Sequence, residues 1–155
     1  MEIIQLNEKD IIIADAKLNK AYLQFQELLQ ELRKRELPEK IAEFINHSIE
    51  DLNSSSCAGK ELIKLFRNKQ AKIVELLEKE LKIVPRNYYK NLWTALGISI
   101  FGVPLGVALG LTIFDNIAFM AVGIPIGLVI GIAVGTEMDK KAFKEGRQLD
   151  LEIKN

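Results

Sequence analysis

The chain holds a single histidine and a single cysteine, and those two shortages remove much of the usual catalytic chemistry. With His47 alone, this chain can assemble neither a histidine-based zinc cluster nor a serine-histidine-aspartate triad. Cys57 cannot close an intramolecular disulfide, and its setting, Asn53-Ser54-Ser55-Ser56-Cys57, reads as a polar loop in a reducing compartment. An excess of charge of either sign is also missing, since Lys and Arg number 21 and Asp and Glu number 21. The balance holds locally, with sixteen cations against fifteen acids over residues 1–90 and five of each over 137–155. No basic surface is therefore available to release phosphate counterions, and nucleic acid is not an expected partner. The stretch from Met1 to Leu6 has neither a basic region nor a long apolar core before Asp10, so it is not expected to be a secretory signal.

Two weaker motifs fail on their own chemistry. Gly59-Lys60 invites a phosphate-loop reading, but Glu61 stands where Ser or Thr is required and Ser54 where the first glycine should be. The acid pairs Glu50-Asp51 and Glu78 with Glu80 lie among lysines and read as solvated faces rather than general-acid sites. No cofactor, metal or catalytic residue is expected, and the chain is not expected to be an enzyme.

What the chain does have is a run of 46 residues, 91–136, with one charge, Asp115. Its halves, Leu92 to Phe114 and Ile117 to Gly135, each reach the roughly 20 helical residues needed to cross a hydrocarbon core about 30 Å thick. The Asp115-Asn116 pair between them is the expected turn, with Asp115 capping the second helix. Lys and Arg near a span are retained on the cytoplasmic side. Lys82, Arg86 and Lys90 precede the first span and Lys140, Lys141, Lys144 and Arg147 follow the second, so both termini are expected to be cytoplasmic, in an inner-membrane, multi-pass topology. Tyr88, Tyr89 and Trp93 fall where amphipathic rings favour the membrane boundary.

The two spans share the pattern GxPxGxxxG, as Gly102, Pro104, Gly106 and Gly110 in the first and Gly123, Pro125, Gly127 and Gly131 in the second, which continues to Gly135. Antiparallel spans carrying one motif form an inverted repeat. Glycines four apart lie near one helical face and let two backbones approach closely, so all seven are candidate helix-packing residues. Pro104 and Pro125 free the carbonyls of Ile100 and Ala121 and are expected to kink their helices. Polar groups at membrane depth are restricted to Thr94, Ser99 and Thr112, too few to line a water-filled path.

Before the hairpin, Ile11, Ala14, Leu18, Ala21, Phe25, Leu28 and Leu32 form a heptad seam within a helix expected over residues 8–34, capped by Asn7. A second helix is expected from about Glu39 to Leu52 and a third from about Ala58 to Ile83, giving an antiparallel cytoplasmic bundle. The first helix is longer than the second can cover, and its surplus apolar surface is expected to meet another subunit. The tail should stay helical to Lys144 and stop at Gly146. Beyond it, Leu149, Leu151 and Ile153 alternate with charges, and Ile3 and Leu6 hint at a similar extended piece. Short terminal strands and disorder compete there, disorder being preferred. The expectation is an all-α protein with a cytoplasmic helical domain over 1–90, a transmembrane hairpin over 91–136 and a cytoplasmic tail over 137–155.

The run from Gly123 to Gly135, followed by Thr136-Glu137-Met138-Asp139-Lys140-Lys141-Ala142-Phe143-Lys144-Glu145-Gly146, resembles small prokaryotic membrane proteins described as glycine-zipper family proteins. The resemblance covers the last third of the chain and implies a helical hairpin that self-associates, with no activity attached. Three functional expectations follow. The first is a non-enzymatic, oligomeric membrane protein anchoring a cytoplasmic coiled-coil-like interaction domain. The second is a pore-forming or membrane-perturbing effector assembled through glycine faces. The third is a regulatory or immunity-type protein that binds another membrane protein.

Overall fold

Asp15 supplies the cap that starts the first helix, α1 (Ala16–Arg33): its carboxylate accepts the backbone N–H groups of Lys17 at 2.8 Å and Leu18 at 3.2 Å, two donors that the first turn leaves without partners. The computed structural model describes residues 2–7, 15–113 and 120–153. The helix described begins at Ala16 and the N–H of Asn7 donates to Asn53, while residues 8–14, with Ile11, Ala14 and the expected helix start after Asn7, lie outside the described residues. The second helix, α2 (Glu39–Ser54), opens on Pro38, whose carbonyl accepts from Ile41 and Ala42. The third, α3 (Gly59–Leu81), ends on a left-handed Lys82 with φ of 56°.

These helices form a three-helix bundle in which α3 packs against both α1 and α2. Four seam residues of α1, Leu18, Phe25, Leu28 and Leu32, are fully buried, and Ala21 is half-buried. Ile45 and Ile49 of α2 and Leu62, Ile73 and Leu77 of α3 are buried with them, α3 lying against both other helices. Phe66 of α3 takes edge-on contacts from Phe25 at 5.7 Å and Tyr22 at 6.1 Å between ring centroids, the geometry that the ring quadrupole favours. His47 stays on a solvated flank of α2, near Glu50 and Asp51.

The terminal segments correct the expectation of disorder. No strand forms among the described residues, yet both ends are extended and packed, with Ile3, Leu149 and Leu151 buried. Residues 2–7 are held by two asparagines of α2. Asn46 accepts from the N–H of Ile4 and donates to the carbonyl of Glu2, both at 3.0 Å. Asn53 repeats the grip, accepting from Asn7 at 2.9 Å and donating to Gln5 at 3.1 Å. Seven helical residues rise about 10.5 Å, and three extended residues advance about 10 Å. The two rungs on the helix therefore match the two on the strap. The carboxyl-terminal segment is fixed by the N–H of Leu149 on the carbonyl of Val84 at 2.8 Å and by the N–H of Asp150 on the Glu31 carboxylate at 3.2 Å.

By contact the chain divides into two units, Met1–Val84 with Leu149–Asn155, and Pro85–Gln148. Hydropathy draws boundaries at 90 and 136. Packing draws them where the bundle's hydrogen bonds end, so the charged turn before the hairpin and the helix after it belong with the apolar residues. In that second unit, α4 (Tyr88–Gly97), a π-turn (Ile98–Gly102), α5 (Val103–Ala108) and a second π-turn (Leu109–Ile113) run against one long helix, α6 (Met120–Lys144). The Asp115-Asn116 turn lies outside the described residues. Gly146, with φ of 68°, ends α6: Arg147 donates to Ala142 and Gly146 to Phe143, the paired bonds of a left-handed helix stop.

Replacing Asn46 by Ala removes both bonds of the first rung and is expected to cost about 1–3 kcal/mol in denaturant unfolding, with faster hydrogen exchange at the Ile4 amide; unchanged exchange there would show that the strap is held by other contacts. The Lys34 ammonium, together with the Asp150 N–H, holds the Glu31 carboxyl below the ordinary glutamate range. A carboxyl whose native pKa is depressed stabilises the fold above its unfolded value and loses that contribution as pH falls through the native one. Below about pH 4 protease should cut the carboxyl-terminal segment faster, and Glu31→Gln should flatten that dependence. A variant with the same acid response would refute the role of Glu31.

Candidate functional site in the apolar hairpin

Two helical stretches, Tyr88–Leu111 and Ala121–Lys144, are each 24 residues long and apolar enough to cross a membrane. Only 22% of the most apolar window of each is buried, unlike the core helix of a water-soluble protein, which is mostly covered. The buried part is the glycine seam. Gly123, Gly127, Gly131 and Gly135 of α6 are all buried, as are Gly97, Gly102, Gly106 and Gly110 on the other side.

The approach is backbone to backbone. A Cβ built on Gly123 would overlap Gly102 O and the backbone of Gly106, and one on Gly127 would overlap the backbones of Gly97 and Gly102. At Gly131 the obstruction is the carbonyl of Trp93 and, at 3.0 Å, the Cα of Thr94; at Gly135 it is Lys90 Cα at 2.5 Å. Such separations leave no room for any side chain, and they bring Cα–H groups within reach of opposite carbonyls. Six of the seven predicted packing glycines, Gly102, Gly106, Gly123, Gly127, Gly131 and Gly135, are thus brought together across one hairpin, and Gly110 is buried beyond them.

Gly97 belongs to this seam and the shared motif does not include it. A Cβ there would sit 2.8 Å from Gly131 Cα and against Gly127 O. Gly97 precedes Gly102 by five residues, and in an α-helix turning about 100° per residue that offset points roughly 140° away from the face. The π-turn at Ile98–Gly102 removes the mismatch: the N–H of Val103 donates to the carbonyl of Ile98, so this turn holds one residue more than an α-turn. The first helix therefore meets the evenly spaced glycines of α6 with steps of four, five, four and four, at Gly106, Gly102, Gly97, Trp93 and Tyr89.

The two prolines are exposed, off the seam, and are accommodated differently. Pro104 is the second residue of α5, immediately after the π-turn and within unbroken helical backbone. Pro125 lies inside α6, which continues without interruption. Two of the three polar groups expected at depth turn to their own helix: Thr94 donates to Lys90 O at 2.6 Å and Ser99 to Ala95 O at 3.0 Å, while the Thr112 side chain lies outside the described residues. The outward faces carry Ile100, Val103, Leu111, Val122, Ile124 and Val129.

At the charged end of the hairpin, Asp139 closes the pair. Asn87, in a left-handed conformation with φ of 58°, makes no side-chain cap to α4. The carboxylate of Asp139, 7% exposed, reaches across from α6 and accepts the N–H groups of Tyr89 at 3.1 Å and Lys90 at 2.9 Å. A cap supplied by a different helix satisfies orphan donors and places a negative charge at a positive helix end. Nothing in the sequence separates Asp139 from the other acids of the tail, because its role depends on which face of α6 meets α4. Tyr89 turns inward, packing edge-on against Tyr88 at 5.2 Å, while Tyr88 and Trp93 are half-buried. Arg147 engages Glu145 and Tyr89, which raises its pKa above the ordinary arginine value.

Compared with known proteins, the chain matches no family model, no curated protein and no solved structure.

Gly97→Ala should destabilise the hairpin as much as Gly131→Ala, by about 1–3 kcal/mol or more for an overpacked contact, measured by thermal unfolding in detergent. A Gly97 variant that melts like the wild type would remove it from the seam. Asp139→Ala should cost about 1–2 kcal/mol and speed exchange at the Tyr89 and Lys90 amides, whereas unaltered exchange would mean that other groups satisfy them.

Proposed function

We propose that this chain is a non-enzymatic integral membrane protein in which a glycine-packed helical hairpin anchors a helical interaction domain on the cytoplasmic side. The observation that carries the reading is the closure of the seam within the hairpin, which leaves branched apolar side chains outward on both helices. In lipid no hydrophobic term favours helix pairing, so close glycine contacts are what hold such a pair together. The cations Lys82, Arg86 and Lys90 before the first helix and Lys140, Lys141, Lys144 and Arg147 at the end of the second support placing both termini in the cytoplasm. The packing also supports the likeness to glycine-zipper proteins, with the zipper spent inside one chain.

That same closure weighs against a pore built from glycine faces, because neighbouring hairpins would find those faces occupied. The bonding of Thr94 and Ser99 to their own helix weighs the same way. Self-association belongs to the bundle in this reading, where Leu23 is 48% and Phe44 37% exposed.

The test is extraction and topology in intact cells. The protein is expected to stay with the membrane through alkaline carbonate, to report a cytoplasmic location from a tag after Asn155, and to leave ion-loaded liposomes tight. Release by carbonate or an external tag would end the anchor reading, and rapid ion flux would replace it with the pore.

A further inference from the structure

The charged end of the hairpin holds a cavity of about 390 Å³ between α4 and α6. Three of its walls are cationic: Lys90 from α4, and Lys140 and Lys144 from α6. Asp139 also lines it, but its carboxylate is occupied by two backbone N–H groups. Lys140 is paired with Glu137 at 2.6 Å, and Lys144 lies within the field of the same carboxylate without bonding to it, so Lys90 and Lys144 are the cations the cavity leaves for a ligand. Asn87 and Thr136 add neutral polar groups at the floor. Phe143, a ring 70% exposed among the lysines, and Gln148 complete the lining.

Depth decides what such a cavity fits. The seam reaches Lys90 through Gly135, and Lys140 stands five residues further on, about 7 Å along the helix. If the apolar stretches lie in hydrocarbon, that places the lysines in the headgroup layer, which adds about 5–8 Å on each side of the core. Helical side chains lean toward the helix amino terminus, so Phe143 and Lys144 lean back over the cavity and toward the acyl region. An aromatic ring beside cations suits an amphiphile with an anionic head.

We propose that this cavity binds the phosphate headgroup of an anionic phospholipid, with Lys90 and Lys144 holding the phosphate, Asn87 and Thr136 offering hydrogen bonds to the polar head, and Phe143 packing on the proximal glycerol and acyl chain. The inference rests on the membrane reading and names the ligand at its cytoplasmic boundary. It accounts for two otherwise separate features, a ring left in the open and cations drawn from both helices to one cavity.

The test uses the full chain in two steps. Flotation with vesicles of phosphatidylcholine alone, or with a quarter phosphatidylglycerol, reports whether the protein enters a bilayer. Native mass spectrometry of detergent-solubilised protein given back each lipid then reports how many molecules stay bound. Phosphatidylglycerol should be retained over phosphatidylcholine, and Lys90→Gln and Lys144→Gln should each lower retention about five-fold, the factor for one cation lost near an anionic surface. Lys141→Gln, an exposed change of equal charge outside the cavity, should leave retention unchanged, and inorganic phosphate should not compete below lipid-saturating concentrations. Equal retention of both lipids, an equal loss with Lys141→Gln, or ready competition by inorganic phosphate would overturn the proposal. Flotation with both vesicles but no lipid preference would sink this site alone; failure to float with either would sink the membrane reading and the site with it.

Discussion

The hairpin depends on one constraint: on the α6 side of the seam, no atom beyond Cα fits. Gly123, Gly127, Gly131 and Gly135 each face a backbone atom where a methyl group would stand. Everything else about the unit follows from satisfying that constraint. The branched residues must turn outward, the prolines must sit off the contact, and the Thr94 and Ser99 hydroxyls must find acceptors in their own helix. Dispersion falls steeply with distance, so a seam built this closely gains most from many weak contacts and loses them together when one is forced apart.

The bundle is stabilised by the opposite means. There α1, α2 and α3 interlock through Leu, Ile and Phe side chains, and burial in water is the main favourable term. Polar groups act at its edges, where the Asn46 and Asn53 amides replace the partner strand that residues 2–7 lack. One chain thus uses two kinds of packing, interlocked side chains and backbone-to-backbone approach, and the change between them falls at Val84 and Pro85, where the contacts regroup.

Periodicity made the helices readable. The second and third are expected and found within two residues of Glu39–Ser54 and Gly59–Leu81, and the seam residues Leu18, Phe25, Leu28 and Leu32 are core because an amphipathic helix has one face to bury. The glycine ladder on α6 was legible for the same reason. Gly97 was not, since its membership requires a π-turn that spacing alone does not announce, and Asp139 was not, since a cap reaching over from another helix leaves no local trace. The strap was hidden differently. Its apolar residues are too few to reveal a face, and its anchors are two asparagines that look like ordinary surface polar residues until residues 2–7 lie beside them.

The uneven step at the π-turn has a consequence for register. Two combs with identical teeth can mesh in several positions, each displaced by one tooth and nearly as good as the last. Here one comb is regular and the other has a single wide gap between Gly97 and Gly102, so any displaced meshing sets a tooth against a tooth. The irregularity works as a key cut, giving this pair of helices one fitted alignment where a perfect repeat would have allowed several.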